Sequence, residues 1–271
     1  MEKTASPEYI DVHAHVNFPD YDADRDEVIS RSLDAGTWLI NVGTSLATSQ
    51  KIVEIAERYE QGVYAIVGLH PTHVEEERFD IVAFEKLVAH PKTVGVGECG
   101  IDLFRLPEEL NNEIDRARVY KNQEEDFLKQ IDLAVKYDKP VMIHARESYQ
   151  DILKVLDAAF ITHGAKLRGN AHFFAGSIEE AKAFLDRGFT VSFTGVITFA
   201  AQYRELVKWV PLDRMLSETD CPFVTPVPFR GKRNEPLYVQ EVVKKIAEIK
   251  ELPIEEVKKA LLDNARRQFG I

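Results

Sequence analysis

The run VYAIVG, residues 63–68, is apolar on both faces, and PVMIHA at 140–145 has the same character. Such runs are typical of strands that are buried on both sides, between a barrel interior and a ring of helices. Outward from these two runs, short apolar segments alternate with amphipathic stretches along the chain. Eight strands are predicted: 9–16, 38–44, 63–70, 94–101, 140–146, 169–174, 189–195 and 215–221.

One helix is predicted in each gap between these strands, and two more close the chain. They span 24–35, 48–59, 77–89, 116–137, 149–159, 178–186, 201–209, 236–250 and 254–269. Strands that alternate with helices pair in parallel, and eight such units in about 250 residues fit a closed barrel better than an open sheet. We therefore predict an α/β protein with a (β/α)8 TIM barrel that forms one domain over residues 1–271. The polar stretch LPEELNNEID at 106–115 is predicted to be a surface excursion at the barrel mouth.

The 271 residues carry a formal net charge of -11. This acidity argues against a broad surface for duplex nucleic acid, because nonspecific affinity comes from Lys and Arg, so any nucleic-acid contact must be local. No run approaches the roughly 18 apolar residues that span a membrane, and no apolar segment follows a basic N-terminus, so we expect a cytoplasmic protein without membrane contact. No obligate protein partner is evident. Cys99 and Cys221 lie in apolar runs and are expected to be reduced core residues.

His13 and His15, in DVHAHV at 11–16, lie two residues apart on the first predicted strand. A period of two directs both side chains to the same side of the sheet. Neutral imidazole nitrogens bind zinc and similar ions well, so the pair could begin a metal site. Alone, the two histidines are equally well explained as polar groups that hydrogen-bond to backbone inside a barrel.

Four further polar residues lie at the C-terminal ends of predicted strands. They are Glu98 in VGVGECG, His144 in VMIHAR, His172 in NAHFF and Asp220 in LSETD. In a (β/α)8 barrel these ends meet at one mouth. Buried His, Glu and Asp side chains are costly unless they are paired or bind a cation, so six of them at one cavity require a compensating charge. We predict that two divalent metal ions supply it, in preference to an all-protein hydrogen-bond network.

Longer motifs extend this pattern over almost the whole chain. They are GLHP at 68–71, VGVGECGIDLF at 94–104, PVMIHAR at 140–146, HFFAG at 172–176, SETDCPF at 217–223, RGKRNEP at 230–236 and DNARRQF at 263–269. With DVHAHV, they make the chain resemble the TatD-type DNases, metal-dependent hydrolases of the amidohydrolase-like superfamily. Cys99 and Phe104 depart from the family pattern, and the 106–115 stretch is longer than usual.

The resemblance implies a (β/α)8 barrel with a metal-dependent nuclease or phosphodiesterase site. It also implies roles for the six residues, in which one ion is held by His13, His15 and Asp220, the other by His144 and His172, and Glu98 bridges the two.

The chemistry of the two carboxylates agrees with those roles. A carboxylate such as Glu98 can give one oxygen to each of two ions about 3.5–4 Å apart. Asp220 is predicted to be both a metal ligand and the general base that takes a proton from the attacking water, with a purely structural ligand as the alternative. Glu218, two residues earlier, either orients a metal-bound His or forms a deeper salt bridge. The ligand types accept Mg2+, Mn2+ or Zn2+.

Substrate contacts are predicted for a second set of residues around the mouth. They are His70, Arg146, Arg230, Lys232 and Arg233. The guanidinium of Arg146 suits a pair of phosphate oxygens, and loops after the late strands are common phosphate sites in this architecture. For Arg233, a structural ion pair with Glu235 is an equal alternative. His70 is assigned to the substrate phosphate or the leaving group rather than to a metal.

The sequence gives weaker indications of a role for several other residues. Arg105 is a weaker candidate for the same cleft, and His73 either joins His70 or is exposed. Phe18 and Phe104 are left open between packing and stacking on a base of single-stranded nucleic acid. His90 and His163 lie in helix-to-strand connections on the opposite barrel face and are predicted to be structural.

The predicted activity is that of a deoxyribonuclease or exonuclease that cleaves phosphodiester bonds with a two-metal-activated water. The substrate would be DNA or another phosphodiester, single-stranded or at an end. The alternative is a metal-dependent hydrolase of a small amide, lactone or ester, because the ligand set does not itself specify phosphorus. A barrel that binds without catalysis is disfavoured by the complete ligand set.

Overall fold

The computed structural model describes residues 6–106 and 113–271. Its eight strands form one sheet in the order β1 to β8. They are β1 (Tyr9–Ala14), β2 (Thr37–Val42), β3 (Val63–Val67), β4 (Thr93–Asp102), β5 (Val141–Arg146), β6 (Gly169–Ala171), β7 (Thr190–Phe193) and β8 (Met215–Ser217). All consecutive pairs are parallel.

The two edges of this sheet meet just beyond the ends of β1 and β8. Ala14 pairs in parallel with Cys221. The amide of Asp220 donates to the carbonyl of His13 at 2.9 Å, and the amide of His15 donates to the carbonyl of Cys221 at 2.9 Å. These bonds join the edges into a barrel, and the predicted (β/α)8 fold is confirmed.

The helices lie between the strands and after the last one. They are α1 (Arg25–Asp34), α2 (Leu46–Glu57), α3 (Ile81–Val88), α4 (Glu113–Lys136), α5 (Tyr149–His163), α6 (Ile178–Asp186), α7 (Arg204–Trp209), α8 (Val239–Lys250) and α9 (Ile254–Phe269). Capping boxes at Ser45 and Ser177 begin α2 and α6, because each serine hydroxyl accepts the backbone N–H three residues later. The chain leaves α9 at Gly270 with a φ of 69°, a conformation that favours glycine.

Most strands are shorter than their apolar runs predict. β1 ends at Ala14 rather than at residue 16, β6 ends at Ala171 rather than at 174, and β8 ends at Ser217 rather than at 221. Apolar residues beyond β1 and β6, such as Val16 and Phe174, are still buried at the barrel mouth, so hydrophobicity continues after the strand has ended. Three of the predicted ligands therefore lie outside the strands: His15 and His172 directly follow β1 and β6, and Asp220 lies three residues after the end of β8.

Both sides of the central strands are buried. All ten residues of β4 are buried, and Val141, Met142 and Ile143 of β5 are at most 1% exposed. Cys99 and Cys221 are buried free cysteines, as predicted.

The predicted excursion at 106–115 falls largely on residues 107–112, which lie outside the described residues. The helix that follows begins at Glu113, three residues earlier than predicted. Within the described ranges, no helix combines the length and the apolar character that a membrane span requires.

Candidate metal centre

The mouth of the barrel opens into a cavity of about 820 Å³. Five of the six predicted ligands line it: His15, Glu98, His144, His172 and Asp220. The sixth, His13, is fully buried and stacks on His172 with ring centroids 4.0 Å apart. Barrel closure thus brings together side chains from β1, β4, β5 and the loops after β1, β6 and β8.

Glu98 lies at the centre of this cluster. Its Oε1 is 2.8 Å from Nδ1 of His144 and 2.6 Å from Nε2 of His172. Its Oε2 is 3.4 Å from Nε2 of His13 and 3.9 Å from Nε2 of His15. The two oxygens of one carboxylate therefore face two different histidine pairs.

Asp220 belongs to the side of the cluster formed by the HxH motif. Its Oδ1 lies 3.5 Å from Nε2 of His15 and 3.8 Å from Nε2 of His13. The residue has a left-handed backbone with a φ of 53°, a region that Asp visits more readily than most residues. The hydrogen bond from its backbone N–H to the carbonyl of His13 holds this conformation and directs the carboxylate toward the two histidines.

In two histidines, the ring nitrogen that faces away from Glu98 and Asp220 has a partner that shows how the ring is oriented. Nδ1 of His15 donates to the carbonyl of Val42 at 2.8 Å, which leaves Nε2 facing the cavity. Nε2 of His144 lies 3.0 Å from Oδ2 of Asp102, which leaves Nδ1 facing Glu98. Partners of this kind fix the tautomer and the direction of metal-binding imidazoles.

Glu218 takes the corresponding position behind His172. It is fully buried, and its Oε1 lies 3.3 Å from Nδ1 of His172. Oε1 also accepts the backbone N–H of Phe173 at 2.7 Å, and its contact with His172 is an ion pair without hydrogen-bond geometry. Glu218 therefore pairs by charge with a predicted metal ligand.

The charges in the cluster are strongly coupled. Burial alone would raise the pKa of Glu98, but His172, His70 and His13 outweigh it and hold that pKa well below its usual range. Burial alone would lower the pKa of His172, yet Glu98 and Glu218 raise it well above its ordinary value. The central carboxylate is therefore ionised and demands positive charge from its neighbours.

The donor set fits a divalent cation. The Nε2 atoms of His13 and His15 lie 3.1 Å apart, so a proton or a cation must lie between their lone pairs. Three groups in the described ranges bring one ligand atom from each member within 4.8 Å of the others: His13 with His172 and Asp220, His13 with His15 and Glu98, and His70 with Glu98 and His144. Imidazole nitrogen and carboxylate oxygen together suit zinc, manganese and similar ions.

His70 differs from the other histidines in this set. Its Nδ1 accepts the backbone N–H of Thr72 at 3.2 Å, so the neutral ring carries its proton on Nε2, which lies 3.5 Å from Oε1 of Glu98. Burial and the neighbouring His144 lower the pKa of His70 to about 4, so the ring is neutral at pH 7. With its proton on Nε2, the neutral ring of His70 presents a hydrogen-bond donor to the cavity.

Arg146 and Arg105 both line the cavity. The guanidinium of Arg146 lies 4.4 Å from the ring centroid of Phe104, whose side chain is 56% exposed. On another part of the rim, Phe18 stacks on His15 at 4.6 Å and contacts Phe223 edge to face. The mouth thus carries both cations and exposed aromatic rings.

Arg230, Lys232 and Arg233, which were predicted to contact substrate, are not among the residues that line the cavity. Arg230 lies over the ring of Phe199 and donates to a backbone carbonyl, and Lys232 is exposed. Arg233 donates two bonds of 2.7 Å to Asp24. The ion-pair alternative therefore holds for Arg233, with Asp24 as its main partner and Glu235 at 3.4 Å.

The remaining histidines have surface partners. His73 lines the cavity and pairs with Glu76. His90 pairs with Glu57, and His163 pairs with Asp132, both far from the mouth as predicted.

Two buried carboxylates at the site were not predicted. Asp102 contacts His144, and Asp11 accepts the amides of His13 and Thr219. Both stand an even number of residues from a predicted ligand on the same strand, which is the spacing that could have found them.

Comparisons with known proteins agree with this architecture. The family model described as TatD related DNase matches residues 10–270. YabD of Bacillus subtilis strain 168, named an uncharacterized metal-dependent hydrolase, is 38% identical over 96% of this chain and 98% of its own length. A protein of Pantoea ananatis named 3'-5' ssDNA/RNA exonuclease TatD is 29% identical over 96% of this chain and 99% of its own length.

A solved structure extends the likeness to three dimensions. The crystal structure of YjjV, a TatD homolog from Escherichia coli K12, superposes with a TM-score of 0.86 at 28% identity, covering 98% of this chain and all of the other. The chain belongs to the TatD related DNase family and is a metal-dependent hydrolase.

Proposed function

We propose that this protein is a two-metal phosphodiesterase that cleaves single-stranded DNA or DNA ends. The observation that carries the proposal is Glu98, whose two carboxylate oxygens face two different histidine pairs. In this assignment His13, His15 and Asp220 would hold one ion, His144 and His172 would hold the other, and Glu98 would contribute to both. When bound, such a pair of ions acidifies water and neutralises the charge of phosphate oxygens.

Asp220 is the residue assigned to proton transfer. Burial alone would raise the pKa of Asp220, but its contact with His15 and the charges around it lower that pKa below the ordinary value. The carboxylate is therefore ionised at neutral pH and can accept a proton from the attacking water. Oδ1 faces the HxH pair, and the side chain lines the cavity from which substrate would approach.

Two residues of the mouth support phosphate as the reacting group. His70 presents an Nε2–H beside Glu98, where it can donate to a phosphate oxygen or to the leaving group. Arg146 places an exposed guanidinium on the cavity wall, and a guanidinium matches a pair of phosphate oxygens. These groups make the mouth locally suited to an anion in a chain of net charge -11.

The aromatic rim supports a single strand rather than a duplex. Phe104 and Phe223 are 56% and 53% exposed, and unpaired bases stack on such rings. The Pantoea ananatis relative named an ssDNA/RNA exonuclease supports the same substrate class.

A substrate panel tests the proposal. Protein reconstituted separately with Zn2+, Mn2+ and Mg2+ is assayed on single-stranded DNA, duplex DNA, RNA, a generic phosphodiester and a generic ester, with Glu98→Ala as the inactive control. We expect cleavage of single-stranded DNA to be fastest and to disappear in the Glu98 variant. Faster hydrolysis of the ester than of every phosphodiester would contradict the proposal and favour the small amide, lactone or ester substrates.

A further inference from the structure

Asp102, the last residue of β4, is fully buried and has no part in the reaction proposed above. Its Oδ2 accepts from Nε2 of His144 at 3.0 Å. Its Oδ1 accepts the backbone N–H of Phe104 at 3.0 Å and that of Arg105 at 2.7 Å. One carboxylate thus contacts a proposed metal ligand with one oxygen and the turn after β4 with the other.

The position of Asp102 is fixed from the helix side as well. Oε1 of Gln123, on α4, accepts the backbone N–H of Asp102 at 3.0 Å, and Nε2 of Gln123 donates to its carbonyl at 3.2 Å. Gln123 is itself only 2% exposed. Strand and helix together therefore hold the carboxylate between His144 and the turn.

The contact with Asp102 determines which nitrogen of His144 can bind an ion. An ionised carboxylate only accepts hydrogen bonds, so Nε2 of His144 carries a proton. Nδ1, which lies 2.8 Å from Glu98, is then the nitrogen that gives up its proton to become a ligand. Without Asp102 the remaining carboxylate contact, from Glu98, favours a proton on Nδ1, the nitrogen that has to bind the ion.

The other oxygen of Asp102 acts on the wall of the cavity. The turn it holds carries Arg105, which lines the cavity, and Phe104, which lies under the guanidinium of Arg146. The amide of Leu103 donates to the carbonyl of Arg146 at 3.0 Å, so the turn and the end of β5 are joined.

We propose that Asp102 is a positioning residue that couples the metal-binding tautomer of His144 to the arrangement of the Phe104–Arg105 turn. An imidazole bound to a cation is a stronger hydrogen-bond donor, so an ion at His144 would fix more firmly the position of the carboxylate that also holds the turn. Metal binding therefore orders a part of the substrate wall. The inference rests on the proposed role of His144 as a metal ligand.

Two substitutions separate the two oxygens of Asp102. Asp102→Asn keeps Oδ1 for the two backbone amides but turns an NH2 group toward His144, which favours the wrong tautomer. Asp102→Ala removes both contacts. Asp126→Asn is the matched control, because Asp126 is 1% exposed, pairs with Arg78 and does not line the cavity.

The readouts are Zn2+ affinity, measured by competition with a chelator, and hydrogen exchange of the amides of Phe104 and Arg105. In Asp102→Asn we expect one of two ions to bind about 10- to 100-fold more weakly while amide exchange stays near wild type. In Asp102→Ala we expect the same loss of Zn2+ affinity, together with faster hydrogen exchange at the amides of Phe104 and Arg105. In the wild type, Zn2+ should slow that exchange, and Asp126→Asn should behave as the wild type does.

Two results would overturn the coupling: wild-type Zn2+ affinity in Asp102→Asn, or exchange in the wild type that does not respond to Zn2+. His144→Ala distinguishes this failure from failure of the proposed function. If His144→Ala still binds two ions with wild-type affinity, the ligand set itself is wrong. If His144→Ala loses an ion and Asp102→Asn does not, only the positioning role of Asp102 is wrong.

Discussion

Arg146→Ala is expected to lower kcat/KM for a single-stranded oligonucleotide by about 5- to 30-fold. The guanidinium is exposed, lines the cavity and rests on the ring of Phe104. A hydrogen bond to a charged group contributes about 1.5–3 kcal/mol, and solvent screening at an exposed site reduces this to about 1–2 kcal/mol. Because about 1.4 kcal/mol corresponds to a factor of ten, that free energy gives the stated range.

The assay compares initial rates of oligonucleotide cleavage by metal-reconstituted variants. Lys232→Ala is the matched control, since it removes an equal charge from an exposed side chain outside the cavity lining, and we expect its kcat/KM to stay within about twofold of wild type. An equal loss in both variants would show that only the general charge of the protein matters. An unchanged rate in Arg146→Ala would refute the phosphate contact.

Three further outcomes follow from the geometry. Asp220→Asn should retain bound metal but cleave about 100- to 10,000-fold more slowly, and an unchanged rate with metal bound would exclude the general base. For the metal-free protein, the pKa of His70 is about 4 when folded and near 6.5 when unfolded, so the unfolded chain binds more protons and stability falls as the pH drops from 6.5 to 4. Measured by urea unfolding, the free energy of unfolding of His70→Gln should fall between pH 6.5 and 4 by about 3 kcal/mol less than that of the wild type. An equal fall in both proteins would contradict this. Phe184→Ala, which empties a fully buried site beside Phe174 and Phe189, should lower the free energy of unfolding by about 3–5 kcal/mol, whereas Ile161→Ala, at a 90% exposed position, should change it by less than about 0.5 kcal/mol.

The order of strands and helices could be predicted because each strand of the barrel is a local apolar run. The ends of the strands could not. In NAHFF the apolar residues continue through Phe174, although β6 stops at Ala171, because Phe174 is buried in the loop at the barrel mouth. An apolar residue in the sequence indicates burial, and at this mouth buried residues lie in loops as well as in strands.

The centre of the site was more predictable than its surroundings. Glu98 and His144 lie in the C-terminal halves of β4 and β5, and the topology alone brings these parts of the strands together. The main partner of Arg233 is Asp24, 209 residues away, whereas the local sequence pointed only to Glu235. The even spacing from Glu98 could have marked Asp102 as facing the same side, but its partner His144, 42 residues later, becomes its neighbour only through the pairing of β4 with β5.

The most direct measurement of the two-ion site is elemental analysis of purified protein after reconstitution with Zn2+. Glu98→Ala removes the carboxylate proposed to be shared, and His90→Ala serves as a control histidine that pairs with Glu57 outside the site. We predict two ions per chain in the wild type and in His90→Ala, and fewer than two in Glu98→Ala. A single ion or none in the wild type, or two ions retained in Glu98→Ala, would contradict a metal pair bridged by Glu98.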